Sequence, residues 1–544
     1  MRQDLRAAAE AWLAEDPDPA TRDELRKLLD ADDEAAVADR FAGRLAFGTA
    51  GLRGPLRAGP NGMNRAVVRR TAAGLAAYLR SAGTPGPVVI GYDARHGSAV
   101  FARDSAAVLA GAGFDARLLP RPLPTPVLAH AVRLLAAAAG VMVTASHNPP
   151  EDNGYKVYDS SGAQIVPPTD TAIEAAIAAV GPLSTVPVSD AYTVLGDEPL
   201  ESYLDAVAAV PRTEHRDLRT VHTALHGVGA AVLRAGLARA GFPPPAEVAE
   251  QASPDPDFPT VAFPNPEEPG ALDLALALAA DTAADLVIAN DPDADRCAVA
   301  VPSGGSWRML TGDELGVLLA DHLIRTGRKG TYATTIVSSS LLGALCAARG
   351  LPSAETLTGF KWIVRAAPDP GELAYGYEEA LGYCVMPEAV LDKCGVSAAV
   401  LAADLAAALK ADGRTLPDRL DELAAEFGVH ATAPLTVRVT DVGLIAEAMA
   451  RLRAAPPRTL LDRPVTDLDD LSPAADVVRL RADGVRVVVR PSGTEPKLKA
   501  YLQVVVPVPG GDRARVPAAR AEAADALDRL GAELAPLLGQ TAPN

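Results

Sequence analysis

From Phe47 onward the chain repeats one pattern: a short apolar, β-branched run stops abruptly at a polar turn, with an alanine- and leucine-rich stretch before or after it. PVVIGYD (87–93) precedes a helix-like stretch around 98–112, and GVMVTAS (140–146) closes a second such unit. LVIAND (286–291) and TYATTIVSS (331–339) repeat the theme. Runs this short, without polar alternation and bounded by turn residues, read as strands buried on both faces, as in parallel sheets covered by helices. The expected class is therefore α/β. In such sheets ligands bind beyond the carboxyl ends of the strands, so the residues just after each run are where chemistry is sought.

A chain of 544 residues is too long for one core. Pattern shifts place boundaries near 200, 308 and 425. The expectation is three similar α/β domains with mixed, mostly parallel sheets (1–200, 201–308, 309–425) and a smaller α+β domain (426–544). In that last part, 434–440 and 485–506 read as antiparallel strands, followed by a helix over 516–538. Residues 3–44 read as helical with a break near Pro17 and Pro19, and the proline-rich 253–273 reads as a surface linker. Aromatics are only 4% against 49% hydrophobic residues, so the cores are built from Ala, Val and Leu. A net charge of −18 argues against nucleic-acid partners and anionic membranes. Cys297, Cys346, Cys384 and Cys394 form no C-x-x-C pair, and neither a signal-type segment nor a membrane-length apolar run is present. A soluble cytoplasmic protein is expected.

Four constellations carry candidate chemistry. Val141–Val143 runs into Thr144-Ala-Ser146-His147-Asn-Pro, which puts a hydroxyl on a stiff loop at a strand end, with Lys156 ten residues on. Ser146 there suits a nucleophile or a phosphoryl carrier; an ordinary polar turn is the other reading. Asp291-Pro-Asp293-Ala-Asp295-Arg296 sets three carboxylates at alternate positions, suited to Mg²⁺ or a similar hard cation. An EF-hand is excluded, because Arg296 stands where its glycine belongs and Pro302 where its glutamate belongs. Phe47-Gly-Thr-Ala-Gly-Leu-Arg53-Gly is a glycine-spaced anion loop with one arginine, and Arg490-Pro-Ser492-Gly493-Thr494-Glu-Pro-Lys497 is a stronger phosphate loop. Gly376-Tyr-Glu378-Glu379-Ala-Leu-Gly offers carboxylates for sugar hydroxyls. Lys393 either faces the same cleft or makes a surface ion pair, and Thr358-Gly359-Phe-Lys361-Trp362 adds a turn with a cation. P-loop, nucleophile-elbow and H-E-x-x-H motifs are absent, and His226 reads as a turn or packing histidine.

The order of these motifs, from FGTAGLRG to RPSGTEPKLKAY, resembles the α-D-phosphohexomutase family of phosphoglucomutases and phosphomannomutases, in the branch with an FEEA-type sugar loop and a TGFKWI segment. The resemblance implies domains around a central cleft and a phosphorylated Ser146. It implies one Mg²⁺ per subunit on Asp291, Asp293 and Asp295, with the serine phosphate as a further ligand. It makes Lys156 a general acid/base, with His147 also in the catalytic group, and sets Arg53 and Arg296 beside the transferring phosphate. Thr358, Gly359, Lys361, Glu378 and Lys393 would line the sugar site, and Arg490, Ser492, Gly493 and Thr494 would grip the non-reacting phosphate. The implied activity interconverts hexose 1- and 6-phosphates, glucose before mannose, with a sugar bisphosphate as activator and phosphosugars as the only partners of a monomer or homodimer. A phosphopentomutase is the close competitor, and a metal-dependent sugar-phosphate hydrolase is the alternative of another class. Ala380 and Cys394 depart from the family pattern, which usually has Ser and Asp at those positions.

Overall fold

The computed structural model describes residues 1–48, 51–439, 443–492 and 497–539. Two compact units partition the chain: Met1–Met309 with Gly382–Ala408, and Leu310–Leu381 with the residues from Leu409 onward.

In the first unit, Val88–Tyr92 and Ala139–Val143 lie side by side in parallel, every residue buried. Burial on both faces is why these runs carry no polar alternation. They sit inside a six-stranded sheet whose parallel part continues through Ala116–Leu118 and Thr193–Val194. On the other side Asp152–Tyr158 returns antiparallel to Ala139–Val143, setting Lys156 across from Met142, and Leu52–Pro55 pairs beyond it with Arg53 opposite Gly154. The segments bearing Ser146, Lys156 and Arg53 thus share one corner of one sheet.

A second, five-stranded sheet runs Leu286–Ala289 parallel to Thr220–Thr223 and antiparallel to Ala298–Ser303. The turn between Leu286–Ala289 and Ala298–Ser303 holds the three aspartates. Three N-terminal helices, Gln3–Glu15, Pro19–Asp30 and Glu34–Arg40, close a small core of Leu5, Ala9, Leu25, Leu29 and Val37. The expected break is at the prolines: Asp18 caps the second helix by accepting from the Ala20 amide, with Pro19 in its first turn.

The second unit contains Thr331–Thr335 in parallel pairing with Ser353–Thr356 and Leu373–Glu378. It also contains a six-stranded antiparallel sheet, Val429–Arg438, Lys497–Val506, Val485–Pro491, Val478–Ala482, Arg463–Asp470 and Thr459–Leu460. Here burial alternates along the strands, since the inner face packs Val487, Val489, Leu502 and Val504 against Leu530 of the helix Val516–Leu534. Three α/β sheet systems and an antiparallel C-terminal domain agree with the class read from the sequence.

The 253–273 segment is mostly exposed irregular chain, as expected of a surface linker, but it also contributes inward: Phe258 is 2% exposed, and its ring lies 4.9 Å from the Arg95 guanidinium carbon. His226, at φ 60°, is indeed a turn histidine, its Nε2 2.8 Å from Thr260 Oγ1. Among the described residues, no helix is long and apolar enough to cross a membrane.

Candidate active site

The strand Ala139–Val143 ends where Thr144 Oγ1 accepts the Ser146 amide at 2.8 Å. Ser146 then takes φ 52°, a left-handed conformation that costs a non-glycine residue roughly 1–2 kcal/mol and needs support from outside. Arg95 supplies that support. Buried at 4% exposure, it donates through Nη2 to the carbonyls of Ser146 (2.6 Å) and Asn148, and through Nη1 to those of Pro149 (2.7 Å) and Asp152 (3.2 Å). Asp93 lies 3.5 Å from its Nε, and Phe258 covers its face. Gly154 is small of necessity: a Cβ there would sit 2.5 Å from Thr144 O and 2.8 Å from Leu52 O. Arg53, one strand over, donates to Asn148 Oδ1 at 3.0 Å.

So held, the Ser146 hydroxyl donates to Asp291 Oδ2 at 2.8 Å and lies 3.3 Å from His147 Nδ1. Burial first, then the charges of Arg296 and Arg53, push His147 well below the usual imidazole range, so it is neutral at physiological pH.

The aspartate turn is gripped by two glycines from distant segments. A Cβ on Gly227 would meet Pro292 Cα at 2.3 Å, and one on Gly395 would meet Arg296 O at 2.1 Å. Val228 N donates to Pro292 O and Gly395 N to Ala294 O. Asp291, Asp293 and Asp295 are fully buried, each with one carboxylate oxygen within 4.8 Å of the others'. Thr125 donates to Asp293 Oδ2 at 2.6 Å. Lys156 Nζ reaches Asp293 Oδ2 at 2.8 Å and Asp295 Oδ2 at 3.1 Å, and Lys393 Nζ reaches Asp295 Oδ2 at 3.1 Å. The Arg296 amide donates to Asp291 Oδ1 at 3.1 Å, and its side chain lies 4.0 Å from Asp295 and 3.8 Å from Glu267.

Three carboxylates in a dry site repel one another. Burial and then its two acidic neighbours push Asp291 well above the usual carboxylate range. Burial would also raise Asp293, but Lys156 outweighs it and holds the group well below. For Lys156, burial favours the neutral amine, yet Asp293 and Asp295 more than offset it and keep the ammonium. The Oδ1 atoms of Asp293 and Asp295 are buried and accept no hydrogen bond among the described residues. Unpaired hard-oxygen acceptors inside a three-carboxylate cluster beside a hydroxyl fit Mg²⁺.

In the second unit, Glu378 ends the strand Leu373–Glu378. Glu379 turns inward, its Oε2 accepting from Thr335 Oγ1 (3.3 Å) and Ser338 Oγ (3.1 Å). Thr358 and Gly359, the latter at φ 113°, lead into the one-turn helix Phe360–Ile363, where the buried Lys361 lies 5.4 Å from the Trp362 ring. Arg490 pairs across the sheet from Lys499, and the Ser492 amide donates to Lys497 O at 2.8 Å. Gly493 and Thr494 lie outside the described residues. Burial, then the charge of Glu379, push the Tyr501 phenol up, and the charge of Arg490 pulls the other way.

Ser146, His147, Lys156, the three aspartates, Arg296 and Arg53 converge as one site. Lys393 joins them rather than making a surface ion pair. Cys394, beside it, is buried with its sulfur 3.1 Å from the Tyr203 hydroxyl, and burial raises its thiol, so it is inert. Arg95 and Thr125 carry no motif that marks them in the sequence. Arg95 was within reach, since Asp93-Ala-Arg95 directly follows a buried strand. Thr125 carried no local signal, because its partner is 168 residues away.

Family models for phosphoglucomutase/phosphomannomutase match in order: alpha/beta/alpha domain I over 44–182, domain II over 201–304, domain III over 311–427, and the C-terminal domain over 435–508. A "Probable phosphomannomutase" of Haemophilus influenzae is 47% identical over 453 residues, covering 81% of this chain and 93% of that one. The Mus musculus "Phosphopentomutase" is 34% identical over 562 residues, covering 92% and 90%. A crystal structure of a phosphoglucomutase/phosphomannomutase family protein from Burkholderia thailandensis shares the fold, with TM-score 0.71 at 18% identity over 92% of this chain and 99% of that one. Together these define a phosphomutase, an isomerase that relocates a phosphoryl group. The chain belongs to the phosphoglucomutase/phosphomannomutase family, the α-D-phosphohexomutases.

Proposed function

We propose that this enzyme interconverts hexose 1-phosphate and hexose 6-phosphate, with glucose and mannose phosphates as substrates, by way of a phosphoryl group carried on Ser146. The observation that carries the reading is the 2.8 Å hydrogen bond from Ser146 Oγ to Asp291 within a buried three-carboxylate cluster. A hydroxyl locked there can hand a phosphoryl group to a sugar and later take one back. In the forward step the bond from phosphorus to Ser146 Oγ breaks as a bond to a sugar hydroxyl oxygen forms, giving a bisphosphorylated sugar, and the hydroxyl proton passes to a base.

Asp291, Asp293 and Asp295 would hold Mg²⁺, which when bound supplies positive charge to the phosphoryl oxygens. Arg53 and Arg296 add fixed cationic charge nearby, and such preorganised electrostatics dominate phosphoryl transfer. The nearest neutral base to Ser146 Oγ is His147 Nδ1, at 3.3 Å. Lys156, held protonated by two carboxylates, stands in the acid form of the acid/base role that the family resemblance suggests, and takes the base role only on giving those partners up. Glu378 with Thr358, Gly359 and Lys361 is assigned to sugar binding. Arg490 and Ser492, with Gly493 and Thr494, are assigned to the second phosphate, so that a bisphosphate can be held through its reversal and can also serve as activator.

A second reading, action on ribose or deoxyribose phosphates, is favoured by the 34% identity to the mouse phosphopentomutase across 92% of this chain. Catalytic efficiencies on glucose, mannose, ribose and deoxyribose 1-phosphates separate the two. Pentose phosphates outpacing both hexoses would displace the first reading, and release of free phosphate at the turnover rate would displace both in favour of a hydrolase.

A further inference from the structure

A cavity of about 530 Å³ lies between the N-terminal helices and the first sheet domain, within the volume range of small-molecule sites. One wall belongs to the helix Gln3–Glu15, which the family models, starting at residue 44, do not include. Trp12, Phe47, Leu52 and Ile177 give it an apolar body, and Arg44, Arg70, Glu15 and Glu174 supply its charge.

The charges are not equivalent. Arg70 is spent on the carbonyls of Val180 (2.5 Å) and Gly181 (3.1 Å), with Glu15 3.6 Å away, and Glu15 also accepts the Leu183 amide at 3.2 Å. Glu174 and Arg44 are both exposed to water at the rim. Arg44 has no hydrogen bond or ion pair among the described residues, and its charge bears on Arg70. The cation left to meet a ligand is therefore Arg44, which lines the cavity together with the apolar residues.

The apolar lining touches the machinery. Leu52 lines the cavity, and Arg53 is the next residue on the strand Leu52–Pro55, pointing to the opposite face and gripping Asn148 of the serine loop. We propose that the cavity is an effector site for a small amphiphilic monoanion, an apolar body bearing one carboxylate or sulfonate, whose occupancy shifts the strand carrying Arg53 and so alters turnover.

The test uses the full chain, with anilinonaphthalene sulfonate as fluorescent probe and decanoate as competitor. One probe is expected per chain, displaced by decanoate but not by decanol at equal concentration. Arg44→Glu is expected to weaken probe binding roughly tenfold or more. Ala178→Trp, which fills the cavity, is expected to abolish binding while keeping basal mutase activity. Saturating decanoate should change wild-type kcat/KM and leave Ala178→Trp indifferent. Binding that survives both substitutions, or no binding at all, overturns the site; decanol matching decanoate overturns the anion; binding without a rate change overturns the coupling. If Ala178→Trp does not fold, Arg44→Glu decides alone. The fluorescence readout does not depend on whether Ser146 carries phosphate, so failure here and failure of the proposed mechanism remain distinguishable.

Discussion

Arg95 donates to the carbonyl of Ser146 at 2.6 Å, 51 residues away in sequence, and the same guanidinium reaches three more carbonyls of the serine loop. One buried cation thereby sets the backbone of the residue proposed to carry the phosphoryl group.

Removing that cation takes the donor from the buried carbonyl of Ser146 and from three partly buried carbonyls of the loop. Arg95→Ala is expected to cost roughly 3 kcal/mol of stability, because charge-assisted bonds are lost and their partners stay desolvated. It is also expected to lower kcat by a factor of roughly a hundred. Arg95→Lys should recover stability more than rate, since an ammonium cannot fork to four carbonyls. Urea unfolding and steady-state kinetics on both variants check this.

Thr125 donates its hydroxyl to Asp293 Oδ2 at 2.6 Å. Thr125→Val keeps shape but removes the donor that orients the carboxylate. Apparent Mg²⁺ affinity, read from rate against metal concentration, should fall by about tenfold, in the range typical for groups that orient metal ligands. Asp293→Asn, which alters a proposed ligand itself, should do more, and excess metal should not restore its rate.

Gly227 has no room for a methyl group, since a Cβ would lie 2.3 Å from Pro292 Cα. Gly227→Ala is expected to move the aspartate turn, losing roughly 2 kcal/mol of stability and most of the metal-dependent activity. Thermal unfolding with metal titration tests both.

Acid should weaken the fold through two imidazoles, the buried His222 and the half-buried His430. Burial is the main cause holding both His222 and His430 down to about 4. As pH falls below the ordinary imidazole value, the unfolded chain takes up protons that the folded chain refuses. Stability present above roughly pH 6.5 is therefore lost progressively toward pH 4. For the buried His222 this amounts to roughly 2 kcal/mol by pH 5. Urea midpoints across this range should fall with pH, and less steeply in a His222→Gln, His430→Gln double variant.

Much of this was legible in advance, for a local reason. Buried parallel strands announce themselves as unbroken apolar runs, and their carboxyl ends direct attention to Ser146 and Asp291. What stayed hidden is long-range. Nothing in TPV marks Thr125 as a partner of Asp293, and nothing in a proline-rich stretch says that Phe258 will cover Arg95. Lys393 was ambiguous because its neighbour Cys394 breaks the expected acidic pattern, and only the fold shows its ammonium on Asp295.

The central claim is a phosphoryl group that leaves and returns to one hydroxyl. Full-length protein incubated with Mg²⁺ and glucose bisphosphate labelled in its phosphates, then digested and analysed by mass spectrometry, tests it directly. Label is expected on Ser146 alone, is expected to chase into sugar phosphate when unlabelled substrate is added, and should be absent from a folded Ser146→Ala variant that no longer turns over. Turnover without label at residue 146, or a Ser146→Ala variant with near-normal mutase rates, would contradict the account.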